Sequence, residues 1–537
     1  MKKKLIKYIL AGAVLFSTAS CKKYLDVNEP NPNTATYSTP ELVLPQALTY
    51  VAANYTSYHD YGRTIVYIAN AGGYGGWGTQ FTYDYNNSQF NNLFNSAYDN
   101  ILDFNYIINN SDPATHTYYI AVSKIAKAYL YLNLVNEYDA VPFTDAAKGT
   151  EALTPKYDDA KEIYKSIEAL LDEAIAEIKA VDGPMKELSS ASVLFNDADD
   201  NNAERMEKWI QFANTIKLKL YVFADGKGVF TGKPTFSNEG FLTTDAIVNP
   251  GYQKLDGKQN PTWNTYHSSY TQAAQLGYGR QYIPNRYTLT FYDGTNISDE
   301  GRGAATYRLW PDVRTNFMGN TPTPDNLPTI AGTLGSEPFY IGTPGATTGG
   351  VNTIGTLKGV SMGQPIMLAN ESYLLQAEAI VKGIITGDAK AAFESGIEAS
   401  FNYLYKGVDN KVVSEKNPTA DAEAYIETNV NSPLVNFDLA TSLAQKIQAI
   451  VTQKFIAHNN IGGHIAWEDY RRTGYPSIVK GGSSTQTFVS TKTMATTPDQ
   501  LPGRILYPVL EFTLNEENVP KGVTVFGSYV FWDFRNK

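Results

Sequence analysis

Apolar residues recur at helical spacing over two long parts of this 537-residue chain. Across residues 88–110 they fall mostly three or four positions apart, which is the period of a helix that buries one face. The same pattern predicts further helices at residues 119–135, 160–181, 204–223, 366–382, 388–404 and 439–458. Helices of this kind must cover their apolar faces with one another, so we expect a mainly α-helical fold.

Two of the predicted helices form an antiparallel pair. They occupy residues 366–382 and 388–404, on either side of a short turn that begins and ends with glycine. Small residues on facing stripes, such as Ala377, Ala392 and Gly396, would let the two helices approach closely. Such a pair is typical of tetratricopeptide-like units, although no repeating signature recurs along the chain. We therefore predict a scaffold of tetratricopeptide-like helix pairs.

The middle of the chain has a different composition, rich in Gly, Pro, Thr and Asn, and helical periodicity disappears there. Aromatic residues such as Trp263, Tyr266 and Tyr270 indicate that this stretch is ordered, because large rings need burial or a ligand. A long, ordered segment of low helicity is typical of a functional loop region. We predict a loop-rich ligand-binding insertion at residues 226–365.

The N-terminus predicts export and lipidation. Lysines and then a short apolar run precede small residues at positions 17–20, and Cys21 follows directly. The run covers about half the length that a bilayer requires, so it indicates a signal peptide and not a membrane span. Small residues before a cysteine resemble the lipobox of bacterial lipoproteins, in which the cysteine is lipidated. An ordinary signal peptide with an incidental cysteine is the alternative.

These patterns divide the chain into three parts. They are a signal peptide at 1–20, a lipidated tether at 21–39 that starts at Cys21, and a single domain at 40–537. The domain comprises helical scaffold at 40–225 and 366–475, the insertion at 226–365 and a mixed C-terminal segment at 476–537. Residues 504–510 are predicted to form a strand within the C-terminal segment.

Charge and cysteine content exclude two classes of site. The net charge is −10, and removal of the lysine-rich leader leaves a still more acidic body, which would repel a phosphate backbone. We therefore expect no nucleic-acid partner. The single cysteine excludes an internal disulfide and any cysteine metal cluster.

Catalytic motifs are weak. Ser361 lies in a G-x-S-x-G pattern at residues 359–363, but no good strand precedes it, as a nucleophile elbow requires. Glu468 and Asp469 are adjacent carboxylates whose flanking residues suggest a structural corner, and paired carboxylates for glycoside hydrolysis meet only in space. We expect no catalytic residue, with an envelope hydrolase kept as an alternative.

Metal motifs are weak as well. Asp197, Asp199, Asp200 and Asn201 hint at a calcium loop, but Lys208 stands where the bidentate glutamate should be. The chain has no H-E-x-x-H motif among its five histidines. We expect no metal site and no cofactor.

The strongest ligand signal is aromatic. Residues 72–78 set two large rings, Tyr74 and Trp77, among five glycines, which leave the rings accessible. Tyr83 and Asn86 follow shortly after. Flat rings beside amides and carboxylates suit sugars, because a pyranose stacks its C–H face on a ring and its hydroxyls need polar partners. Packing of this loop onto the body by Trp77 is the other interpretation.

Several segments together resemble the SusD/RagB family of surface lipoproteins. The segments are KKYLDVN at 22–28, WIQFANTIKLKL at 209–220, YLLQAEA at 373–379, WEDYRRTGYP at 467–476, LPGRILYP at 501–508 and FWD at 531–533. The WEDYRRTGYP segment is the most specific. The resemblance covers the mature chain and is weakest from residue 226 to 364.

The resemblance implies four tetratricopeptide-like helix pairs and a loop-rich ligand face. It implies a non-catalytic, lipid-anchored protein at the outer membrane, facing the exterior, that captures an oligosaccharide or polysaccharide for a SusC-like TonB-dependent transporter. Peptide capture, as in RagB-type relatives, is the alternative. Arg471, Arg472 and Glu468 would then form internal ion pairs.

The resemblance also places ligand residues in an early loop and in the central insertion. The expected ligand-binding residues are Asp60, Arg63, Tyr74, Trp77, Tyr83, Asn86, Trp263, Tyr266 and Tyr270.

Overall fold

Apolar stripes in the sequence correspond to helices that bury those stripes. In the helix Ala160–Lys179, Ile163, Ile167 and Leu171 are buried at a spacing of four residues. The helix begins after Asp159, whose carboxylate accepts hydrogen bonds from two backbone N–H groups of the first turn. Periodic burial and a carboxylate cap together explain why this segment is helical.

The computed structural model describes residues 38–70, 78–188, 192–197, 200–271, 282–319, 350–497 and 499–536. Its helices are α1 Pro40–Val66, α2 Gly78–Thr82, α3 Asn91–Asn110, α4 Pro113–Tyr138, α5 Ala160–Lys179, α6 Asn202–Ala224, α7 Pro261–Tyr266, α8 Arg286–Leu289, α9 Glu300–Thr306, α10 Ala369–Val381, α11 Ala389–Tyr405, α12 Pro418–Thr428, α13 Leu443–Ala457, α14 Gly463–Thr473 and α15 Val509–Leu514. Short 3₁₀ turns lie at Gly149–Glu151 and Phe437–Leu439. The mainly α-helical fold is confirmed.

Neighbouring helices pack in pairs around one apolar core. Helix α4 packs on α5, and α10 packs on α11 as the sequence predicts. Gly396 in α11 makes the second contact possible, because a Cβ atom there would lie 2.6 Å from Leu374 Cγ in α10. The predicted close approach of small residues is therefore confirmed.

Four short strands form two antiparallel ribbons in the described part of the chain. Strand β1 (Ile68–Asn70) pairs with β3 (Tyr282–Pro284), and β2 (Ala246–Val248) pairs with β4 (Gln364–Met367). Each ribbon joins the insertion to the scaffold, because β2 and β3 belong to the insertion whereas β1 follows α1 and β4 precedes α10. The loop-rich segment is thus fastened to the helical body.

Buried ion pairs tie five helices together where they meet. Lys219 of α6 bonds Glu371 of α10 at 3.2 Å and Glu468 of α14 at 2.9 Å. Arg471 of α14 bonds Glu137 of α4 at 2.7 Å. Two further pairs join Lys454 of α13 to Asp469 at 2.7 Å and Arg472 to Glu378. The predicted internal roles of Arg471, Arg472 and Glu468 are confirmed.

The predicted strand at residues 504–510 is wrong. Gly503 N–H donates to Val525 O at 2.8 Å, but Ile505 N–H donates to Glu137 O at 2.9 Å, so no single neighbour supplies a ladder. Helix α15 then begins at Val509, directly after Pro508. Alternating apolar residues here reflect burial against several partners and not pairing within a sheet.

The signal peptide, Cys21 and nearly all of the tether lie outside the described residues. Lipidation of Cys21 therefore stays a prediction. Among the helices that the structure does describe, none is both long and apolar enough to cross a membrane.

Helices α1 and α14 touch through two glycines, and this contact sets the position of the C-terminal half of α1. A Cβ atom on Gly62 would clash with the backbone of Gly463 and His464, and one on Gly463 would clash with Arg63. We expect Gly62→Ala to lower the free energy of unfolding by about 1–3 kcal/mol, because the helices must separate. Gly78→Ala, where a Cβ meets nothing within 4 Å, is the matched control. Urea denaturation measures both, and equal stability of the two variants would contradict the close contact.

Candidate functional site

Two residues predicted to bind ligand meet although they are far apart in the sequence. Tyr266, at the end of α7, donates its hydroxyl hydrogen to Asp60 Oδ1 of α1 at 2.9 Å. Asp60 is half-buried, whereas Tyr266 is buried. Burial raises the pKa of Asp60, while Arg63 and the Tyr266 hydroxyl oppose that rise. This hydrogen bond joins helix α1 to the insertion.

Arg63 lies one turn along α1 and forms the base of this contact. Its guanidinium carbon is 4.3 Å from the centre of the Tyr266 ring and 5.4 Å from that of Tyr282 in β3. The side chain is completely buried. A cation above a ring is stabilised when water is excluded, so Arg63 holds the two tyrosines and does not itself face solvent.

Helix α7 is anchored on both sides. The Trp263 ring stacks on His267 with centroids 3.8 Å apart, and both side chains are buried. Thr262 bonds Thr56 of α1 at 3.3 Å and donates to Gln364 of β4 at 2.6 Å. Trp263 is thus a packing residue in this conformation, with no open ring face for a ligand.

Strands β1 and β3 bring the borders of the two predicted ligand segments together. Asn70, the last residue of β1, pairs with Tyr282, the first residue of β3. The chain enters the glycine-rich segment after Asn70 and leaves the 271–282 connection at Tyr282. Tyr74 and Trp77 lie outside the described residues, so their part in a site stays a prediction.

Tyr83 and Asn86 follow directly after helix α2. Tyr83 is buried, and its hydroxyl accepts a hydrogen bond from Ser490 N–H at 3.1 Å. Tyr85, between them, packs 5.8 Å from Tyr61, the neighbour of Asp60 in α1. Asn86 is exposed, although its side-chain oxygen accepts from Ser88 N–H at 2.9 Å. Only Asn86 of this group offers a polar group to solvent.

The described residues that a ligand can reach are therefore few. Tyr270, four residues after Tyr266, is 42% exposed and is the one predicted ring with an open surface among the described site residues. Asp60 offers a half-buried carboxylate, and Asn86 offers an amide. An open aromatic ring, a carboxylate and an amide are side-chain groups that can bind hydroxylated ligands.

Tyr282 and His59 belong to this cluster, but they were not among the expected site residues. The His59 ring meets Tyr266 edge-on at 5.6 Å, and its Nδ1 accepts from Gly463 N–H at 2.8 Å. One signal was present, because His59 precedes Arg63 by four residues and so shares its helix face. No local signal marks Tyr282, since its partner strand lies more than 200 residues earlier.

The catalytic alternatives lack their structural context. The turn that holds Ser361 leads into strand β4, whereas a nucleophile elbow leads into a helix. Glu468 and Asp469 are both buried and bonded to lysines, so neither faces a substrate.

The described side chains of the weak calcium-loop pattern bond to other parts of the protein. Lys208 Nζ bonds Asp197 at 2.9 Å and Asp200 at 2.5 Å, and Asn201 caps α6. Asp199 lies outside the described residues. Within the part of the chain that the structure describes, no group of three or more His, Cys, Asp or Glu residues could hold a metal ion.

Two family models match the chain on either side of the loop-rich insertion. Residues 32–236 match the SusD-like model described as starch-binding and associating with the outer membrane. Residues 355–530 match the model described as the SusD and RagB outer membrane lipoprotein. No curated protein matches the chain.

Solved structures share the whole fold. A chitin-binding SusD homologue from Flavobacterium johnsoniae is 19% identical, with a TM-score of 0.65 over 92% of this chain and 99% of that one. A SusD homologue from Bacteroides fragilis is 18% identical, with a TM-score of 0.62 over the same shares. A SusD homologue from Bacteroides ovatus is 19% identical, also with a TM-score of 0.62 over 92% and 99%. The two matched family models, which together cover more than half of the chain, place it in the SusD/RagB family of outer-membrane lipoproteins.

Proposed function

We propose that this protein captures an oligosaccharide or polysaccharide at the outer membrane and passes it to a SusC-like TonB-dependent transporter. The observation that carries the proposal is the contact between α1 and the insertion, where Asp60 meets Tyr266 and the exposed ring of Tyr270 follows. The match to a family described as starch-binding supports a glycan ligand, as does the likeness to a chitin-binding homologue. The proposal involves no catalysis and no cofactor.

The physical argument separates a binding surface from its support. Tyr270 would stack on the C–H face of a sugar, and Asp60 would accept hydrogen bonds from its hydroxyls. Arg63, Trp263 and Tyr266 are buried, and Tyr266 bonds Asp60 directly, so they would hold the surface rigid and reduce the ordering cost of binding. Trp77 and Tyr74 would extend the surface from the glycine-rich segment.

Attachment through Cys21 completes the proposal. Lipid chains on this residue would hold the protein at the outer membrane, at about 0.8 kcal/mol per buried methylene group. The tether at residues 21–39 would let the domain reach its transporter while it faces the exterior. A cysteine-to-alanine change at position 21 should release the protein from washed outer membranes.

Ligand capture is tested with the soluble domain and a panel of oligosaccharides in titration calorimetry. We expect Tyr270→Ala to weaken binding about tenfold, because it removes one ligand contact and leaves the buried support in place. Asp60→Ala should weaken binding by about tenfold or more, because it removes a ligand acceptor and also the partner of the Tyr266 hydroxyl. Trp77→Ala should weaken binding of the same glycan. Tyr50→Ala is the matched control, because Tyr50 is 47% exposed on α1 but was not predicted to bind.

Equal affinity of the wild type and the three site variants would contradict this site. If the protein binds peptides and does not bind any glycan, peptide capture would replace this proposal. Turnover of a glycan or ester that is lost in Ser361→Ala would replace it with hydrolysis.

A further inference from the structure

A cavity lies where the β2–β4 ribbon meets the end of α11. Its volume is about 550 Å³, which is within the usual range for small-ligand sites. Three turns surround it, at residues 249–251, 358–363 and 407–410. None of the residues that line it belongs to the surface formed by Asp60 and Tyr270.

Glycines let these turns come together. A Cβ atom on Gly407 would clash with the backbone of Val351, and one on Gly363 would clash with the side chain of Ile247 in β2. Gly251 has a φ of +84°, which a residue with a side chain rarely adopts. The walls of the cavity therefore depend on backbone positions that glycine permits.

Lys358 forms the inner wall. Its side chain is only 4% exposed, and its Nζ atom donates to Tyr403 O at 2.6 Å and lies 4.0 Å from the centre of the Tyr403 ring. Burial lowers the pKa of Lys358 to about 7, with Asp245 and Asp409 opposing the change and Lys406 adding to it. An amine has more than one hydrogen-bonding position, so the bond to Tyr403 leaves capacity for a ligand.

The remaining lining combines amides, carboxylates and apolar groups. Asn196, Asn249 and Asn410 supply amides, and Asp409 supplies a carboxylate. Ile247 supplies an apolar surface. Amides and carboxylates beside an aliphatic wall match a sugar ring, whose hydroxyls both donate and accept while its C–H groups are apolar.

We propose that this cavity is a second carbohydrate subsite, which takes a neutral saccharide of one or two rings. Lys358 bonds the saccharide at the inner wall and Asn410 bonds it at the rim. The class of ligand rests on the proposed function, whereas the position of the subsite rests on the cavity alone. A short saccharide would therefore occupy a place that Tyr270 does not reach.

Titration calorimetry with maltose, cellobiose and chitobiose tests the subsite. We expect the wild type to bind at least one of these disaccharides, and we expect Lys358→Met and Asn410→Gly each to weaken that binding about tenfold. Asn410→Gly keeps the backbone, because Asn410 has a φ of +60° that glycine adopts freely. Ala147→Gly, at a φ of +61° and outside the cavity, is the matched control and should bind as the wild type does.

The outcomes separate the two proposals. Disaccharide affinity that is unchanged in both cavity variants, but reduced in Tyr270→Ala, would overturn the subsite and leave the proposed function standing. Binding of long glycans without any binding of the three disaccharides would overturn the subsite in the same way. Failure of the wild type to bind any saccharide would overturn both. If Lys358→Met fails to fold, because its bond to the end of α11 is lost, Asn410→Gly alone decides.

Discussion

Replacing Arg472 by methionine is expected to lower the free energy of unfolding by about 3–5 kcal/mol, the usual effect of breaking a buried ion pair from one side. Arg472 bonds both carboxylate oxygens of Glu378, and it bonds Asp469 at 2.9 Å. Burial by itself would raise the pKa of Glu378, but Arg472 and then Lys382 hold it at about 2. The methionine variant therefore leaves a buried carboxylate that must lose a partner or take up a proton.

Urea denaturation of two further variants makes this result specific. Arg472→Lys keeps the charge but cannot form the two parallel bonds, so its loss of stability should be smaller than that of the methionine variant. Lys165→Met breaks an exposed pair with Glu162 and should change stability by no more than about 0.5 kcal/mol. A loss for Arg472→Met that is as small as that for Lys165→Met would mean that the pair does not stabilise the core.

Acidification from pH 6.5 to 5.0 is expected to lower the free energy of unfolding by about 2–3 kcal/mol. Three buried histidines are the cause. Burial lowers the pKa of His458 to about 3 and that of His464 to about 4, and it also lowers the pKa of His59. The unfolded chain takes up protons near pH 6.5, whereas the folded chain does not, so stability falls as the pH falls.

Buried carboxyls act in the opposite direction, because burial raises the pKa values of Asp60, Asp299 and Glu137. Burial raises the pKa of Glu137 to about 8, so the folded chain holds a proton there that the unfolded chain loses above pH 4.5. Glu137 offsets about one histidine, which leaves a difference of up to about two protons, at about 1.4 kcal/mol per proton and pH unit. The unfolded histidines are only half-protonated at pH 6.5, so the loss down to pH 5.0 is about 2–3 kcal/mol. Below pH 4.5 the unfolded chain takes up a proton at Glu378, whereas the folded chain does not, since the folded pKa of Glu378 is about 2. The free energy of unfolding therefore falls further in this range.

Urea denaturation at pH 7.5, 6.5 and 5.0 measures the effect. His458 has no hydrogen-bond partner on either ring nitrogen in the described structure, so His458→Gln removes one titrating group and no bond. Between pH 6.5 and 5.0 the free energy of unfolding of this variant should fall by about 2 kcal/mol less than that of the wild type. The slope with pH is the relevant quantity, because any constant change in stability cancels. A wild-type stability that does not change over this interval would show that the histidines are protonated in the folded chain.

Much of the helical scaffold could be predicted because its signals are local. The stripe at residues 160–181 corresponds to α5 at Ala160–Lys179, and the pair at 366–382 and 388–404 corresponds to α10 and α11. The first residues of the predicted helix at 366–382 belong to strand β4 instead, because the apolar run that leads into α10 is extended. Periodicity and capping residues act within one turn, so they are visible in the sequence.

Helix α1 shows the limit of that local signal. It spans Pro40–Val66, where the sequence predicted helical scaffold but no individual helix, because tyrosines, asparagine, histidine and arginine are buried along it together with aliphatic residues. A helix that is buried on several faces has no single apolar stripe. The pairing of β1 with β3 could not be predicted either, because the two strands lie more than 200 residues apart in the sequence.

The sequence by itself determined the family, the helical scaffold and a short set of candidate ligand residues, because motifs and periodicity depend on residues close together in the chain. Only the tertiary structure decided which candidates are open to a ligand. It buries Arg63, Tyr83, Trp263 and Tyr266, and it leaves Tyr270 and Asn86 exposed and Asp60 half-exposed. An aromatic side chain suits a core and a sugar site equally well, and the distinction depends on contacts between segments that the sequence keeps apart.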